Sequence, residues 1–120
     1  MKVIMPVKND NGWEAELNPR FGRTPFFAVV NIEEEELEFI DNTAQNAPSG
    51  AGVEAAQIVA DQKADLMFTP NVGPRAFTGL EKLNMKIYLA NGTIKEAIEA
   101  FKNDELEEVS EPTNEAQHDH

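Results

Sequence analysis

The texture of the sequence changes at Gly50, and that change constrains the fold more than any other feature. Before it lie three short apolar runs. Val3, Ile4, Met5 and Val7 form the first, and Phe26 to Ile32, β-branched and aromatic between Pro25 and a glutamate run, forms the second; both read as strands. Leu37 to Asn42 is less regular, but it is short and follows Glu33, Glu34, Glu35 and Glu36, so a third strand hairpinned to the second is expected. After Gly50, helical and extended patterns alternate. Val53 to Lys63 carries Glu54, Gln57 and Asp61 at i, i+3 and i+7 among alanine, valine and isoleucine, the pattern of a mostly buried helix. Leu66 to Thr69 reads as a strand stopped by Pro70. Pro74 opens a helix that runs to about Asn84, with Ala76, Phe77, Leu80 and Leu83 apolar. Lys86 to Ala90 is the last expected strand. Thr93 and Glu96 then fit a capping box, with Ile94, Ala97, Ile98 and Phe101 on one helical face.

The order β-β-β-α-β-α-β-α describes an antiparallel meander followed by two strand–helix repeats. Such repeats favour parallel, right-handed crossovers, so an α/β fold with a mixed sheet and helices on its faces is expected. A chain of 120 residues suits one domain with one core. The domain is expected over residues 1–108, with 109–120 as an acidic, disordered tail that begins where apolar periodicity is lost.

Charge and composition exclude several functions. Ten Lys and Arg stand against 22 Asp and Glu, a net charge of -12, which repels phosphate backbones and argues against a nucleic-acid partner. No apolar run approaches the roughly 20 residues of a membrane span, so a cytoplasmic protein without a membrane partner is expected. The absence of cysteine removes disulfides, a thiolate nucleophile and thiolate metal ligands. The only histidines, His118 and His120, stand with Asp119 at the far end of the acidic tail and are weak metal candidates. Without an internal histidine, acyl-transfer chemistry has little support. The first strand holds no carboxylate and the fourth ends in Thr69-Pro70-Asn71, which argues against a two-metal phosphodiester site. No enzyme is expected.

In open α/β sheets, ligands collect beyond the carboxyl ends of the parallel strands. Three connections there are unusual. The one from Lys8 to Thr24 is long and contains Asn18-Pro19-Arg20-Phe21-Gly22-Arg23; Trp13 in the same connection reads as its anchor on the sheet. Gly50-Ala51-Gly52 immediately precedes a helix, where backbone N–H groups and the helix dipole favour an anion. Asn71, Gly73 and Arg75 belong to a second glycine-bearing loop feeding a helix. All three arginines, Arg20, Arg23 and Arg75, fall in or beside these loops. Arg75 opens a helix, where the dipole disfavours a cation, and a bound anion would explain it. Chance clustering, or pairing with some of the many carboxylates, explains the arginines equally well.

Taken in order, the stretch from Asn18 to Phe27, the stretch from Gly50 to Ala56 and the stretch from Asn71 to Phe77 resemble the dinitrogenase iron–molybdenum cofactor biosynthesis family, which includes NifX-type proteins and the C-terminal domain of NifB-type proteins. The likeness spans roughly Lys2 to Glu105. It implies a ribonuclease H-like fold with five strands in the order 3-2-1-4-5, the second antiparallel, and no nuclease activity. It also implies a non-catalytic accessory or carrier protein for iron–molybdenum cofactor, a precursor cluster or another anionic metal species, with a cofactor-receiving protein as partner. The family motif Pro-x-Phe-Gly-Arg often has histidine at x; here Arg20 occupies it, which removes a metal-ligating imidazole and leaves electrostatic capture of an anionic cluster or oxyanion. A regulatory module that binds a small anionic metabolite or a protein partner is the alternative.

Overall fold

A computed structural model of the chain describes residues 1–110, with the side chain of Arg75 outside the description. Strands β1 (Lys2–Val7), β2 (Phe26–Asn31) and β3 (Glu36–Asp41) are followed by helix α1 (Ala51–Asp61), β4 (Leu66–Thr69), α2 (Pro74–Glu81), β5 (Lys86–Leu89), α3 (Ile94–Lys102) and β6 (Glu107–Val109). They form one six-stranded sheet in the order β3-β2-β1-β4-β5-β6. β1 is antiparallel to β2 and parallel to β4, and β4 is parallel to β5.

The mixed sheet follows from how the apolar residues are spent. β1 sits between β2 and β4 and is covered on both faces, so its side chains alternate between two cores rather than between core and water. Ile4 packs with Phe27, Val29, Met67 and Ile87 beneath α1 and α2. Val3, Met5 and Val7 pack with Ala28, Val30 and Phe68 beneath α3. β3, at the edge, exposes Glu36, Glu38 and Asp41, charges that discourage pairing with another chain.

The sheet corrects the expectation of five strands. β6 pairs antiparallel with β5, placing Val109 opposite Ile87 and Glu107 opposite Leu89. Only Leu106 and Val109 carry its apolar signal, flanking two exposed glutamates, and a run that short has no readable period. The strand ends one residue beyond the expected domain boundary at 108. Residues 111–120, including His118 and His120, lie outside the described residues.

Two helices differ from the expected bounds. α1 is shifted two residues toward its amino end, running Ala51–Asp61 rather than Val53 to Lys63, and leaves Val53 59% exposed. α2 stops at Glu81, so Leu83, expected on its apolar face, is 40% exposed. No helix among the described residues is long and apolar enough to cross a membrane.

Candidate anion site

The long connection between β1 and β2 is packed down along its length. Lys8 N–H donates to Glu16 O, Asn18 N–H to Pro6 O and Leu17 N–H to Gly92 O, each at 2.8–2.9 Å. Trp13 is half-buried against the core beneath α3, as an anchor would be. The connection then forms a 3-10 turn over Phe21–Arg23. Asn18 Oδ1 accepts from Arg20 N–H at 2.9 Å and shapes the approach to that turn. Phe21 is buried, its ring 5.4 Å from that of Phe27, and this contact fastens the turn to the sheet.

The turn lies directly against the start of α1. A Cβ placed on Gly22 would stand 2.9 Å from Gly52 N and 3.1 Å from Gly52 Cα, so only glycine allows this approach. Gly50 caps α1 with φ +73°, a left-handed conformation that suits glycine. At α2, Gly73 is the cap and Pro74 occupies the first turn. Neither α1 nor α2 has a side-chain cap, whereas α3 has a complete capping box in which Thr93 and Glu96 satisfy each other's backbone N–H groups. The first N–H groups of a helix have no intrahelical acceptor. Two uncapped helix starts therefore converge on one place.

That place is an open cleft of about 800 Å³ beyond the carboxyl ends of β1 and β4. Its walls include Arg20, Phe21, Gly22 and Arg23 on one side and Gly50, Ala51 and Gly52 on another. Asn71, Gly73 and Pro74 close the third. Nine of the ten residues expected at the rim thus border one cavity. The tenth, Arg75, is the second residue of α2, and its side chain lies outside the described residues. Among the described residues, no carboxylate lines the cleft, in a chain of net charge -12.

The arginines differ in occupation. Arg23 Nη1 donates to Gln45 O at 2.9 Å and Ala47 O at 2.6 Å, so part of this guanidinium is used internally. Arg20 is exposed, and its guanidinium makes no hydrogen bond or ion pair among the described residues. No group of three or more metal-ligating side chains occurs among the described residues.

Reading the sequence missed Asn42 and Thr24, both fully buried polar residues behind the cleft. Thr24 Oγ1 donates to Val7 O at 2.6 Å. Asn42 Nδ2 donates to Thr24 O at 2.8 Å and Gly22 O at 3.1 Å, and its Oδ1 accepts from Ala44 N–H at 3.0 Å. The available signal was an Asn-Thr pair directly after a strand, a local turn signature.

The model of the dinitrogenase iron–molybdenum cofactor family matches residues 1–104. The chain belongs to that family. An uncharacterised member of the curated proteins, from Methanocaldococcus jannaschii, is 35% identical over 111 residues, covering 89% of this chain and 90% of the relative. Among solved structures, the apo form of the orange protein from Desulfovibrio gigas superposes with a TM-score of 0.88 at 28% identity, covering 94% of this chain and 96% of that one. A Thermotoga protein provisionally named NifB superposes with a TM-score of 0.80 at 30% identity, covering 95% and 97%. This family member therefore shares its mixed α/β fold over nearly its whole length with both.

Proposed function

We propose that the protein is a non-catalytic binding or carrier protein for an anionic metal species, iron–molybdenum cofactor or a precursor cluster, held non-covalently in the cleft between Arg20 and the starts of α1 and α2. The observation that carries this reading is the convergence of two uncapped helix starts and the Arg20 guanidinium on a cleft that, among the described residues, has no carboxylate in its lining and no partner for that guanidinium. Helix-terminal N–H groups and arginine both suit oxyanions and negatively charged clusters. The described residues around the cleft supply no thiolate, imidazole or carboxylate, which suits a cargo whose metals already carry their full set of ligands. Family membership and the likeness to a protein for which an apo form is distinguished support the same reading. The cargo is delivered to a cofactor-receiving protein in the cytoplasm. The corresponding fold reading is ribonuclease H-like, with β6 appended to the 3-2-1-4-5 order.

Isothermal titration calorimetry with tetrathiomolybdate and molybdate tests the site. Charge-assisted contacts contribute about 1.5–3 kcal/mol each, so Arg20→Glu weakens binding by well over tenfold while the fold persists. Equal affinity in the folded variant would move the site elsewhere. Absence of binding by either protein would favour a regulatory module that engages a metabolite or protein partner.

A further inference from the structure

Asn42 is not among the residues lining the cleft, yet it is tied to one segment that lines it and to the turn that leads into another. It is fully buried at the end of β3, and burying an amide is costly unless its donors and acceptor are matched. All three side-chain bonds are made, and they are not local to one segment. Both Nδ2 hydrogens go to the Arg20–Arg23 side, at Gly22 O and Thr24 O, while Oδ1 receives Ala44 N–H from the turn that leads to α1. The main chain repeats the tie, with Asn42 N–H donating to Pro25 O at 3.0 Å and Gln45 N–H donating to Asn42 O at 3.2 Å. Arg23 closes the same loop from the solvent side through Gln45 O and Ala47 O.

We infer that Asn42 is the positioning residue of the cleft: by gripping Gly22 and Ala44 together, it sets the separation between the arginine turn and the start of α1 and so selects the size of anion held. The inference rests on the anion-binding reading above. Gly22 is the connecting element, since its backbone both accepts from Asn42 and lies against Gly52. A shift of the Gly22 peptide therefore moves Arg20 relative to the Gly50–Gly52 amides. An Asp at the same position keeps the acceptor for Ala44 N–H but turns a carboxylate toward two carbonyl oxygens.

The test uses the full chain and two variants, Asn42→Asp and Asn42→Ser, each titrated with tetrathiomolybdate and molybdate well below its own melting temperature. Asn42→Ser serves if Asn42→Asp does not fold, because serine keeps an oxygen near Ala44 N–H but falls short of Gly22 and Thr24. The expected result is roughly a tenfold loss of tetrathiomolybdate affinity, together with a narrowed ratio between the two anions. Amide hydrogen exchange should quicken at 20–24 and 43–47 but not in β1 or β4. Wild-type affinity and anion ratio in a folded variant, even with a lower melting temperature, would make Asn42 merely structural and overturn the inference while leaving the anion site standing. Failure of the wild-type protein to bind either anion would overturn the anion site, and the inference with it.

Discussion

Gly22 and Gly52 meet backbone to backbone, and a Cβ on Gly22 would stand 2.9 Å from Gly52 N. The obstacle is the main chain of a helix start, which cannot rotate aside. Gly22→Ala must therefore push the arginine turn away from α1, at a cost of about 1–3 kcal/mol, with a melting temperature lower by several degrees and weaker anion binding. Gly52→Ala is the control. Its nearest new neighbours, the Ala76 Cβ and N, are 3.9 Å away, so thermal unfolding should show little change. Equal melting temperatures for all three proteins would mean that the two backbones are not in contact.

Arg20 and Arg23 should separate under mutation. Arg20 is exposed and holds no described partner, so Arg20→Ala stays within about 0.5 kcal/mol of wild-type stability and loses anion affinity. Arg23 Nη1 serves two carbonyls, and Arg23→Ala loses about 1–2 kcal/mol of stability as those acceptors are released to water. Urea unfolding and calorimetry on both variants measure the difference; a reversed order would exchange the roles of the two arginines.

The terminal strand predicts a sharp boundary. Ending the chain after Ser110 retains β6 and should leave the melting temperature within a few degrees. Ending it after Glu105 removes Leu106 and Val109 from the two cores and strips the edge of β5, a loss of about 2 kcal/mol or more on the scale of buried aliphatic side chains. Guanidinium unfolding of the two truncations would show the same midpoint if β6 contributed nothing.

Thr93→Ala removes one half of the α3 capping box. It should cost about 1 kcal/mol, because Ile94, Ala97 and Ile98 pack the core beneath that helix. α3 lies on the face opposite α1 and α2, so anion affinity should be unchanged. A variant as destabilised as Gly22→Ala that still binds normally separates loss of stability from loss of the site.

Local chemistry alone determined most of the architecture. The glutamate turn before Leu37, the alternation after Gly50 and the Thr93–Glu96 capping box each act over a few residues, so their element types and order were readable from spacing. The three loops at the rim were readable for the same reason, since glycine and proline punctuate the chain where strands give way to helices. Tertiary structure decided the rest. β6 exists because β5 offered an unpaired edge to a segment with only two apolar residues. Arg23 is partly used internally because the 43–47 turn folds back beside it, 22 residues further along the chain at Gln45. Asn42, an unremarkable polar residue in sequence, became fully buried because segments distant in sequence bring Gly22, Thr24 and Ala44 around one amide. Spacing reports which groups are neighbours within an element; which groups face each other across elements depends on the packing of the whole chain, and the cleft is made of such meetings.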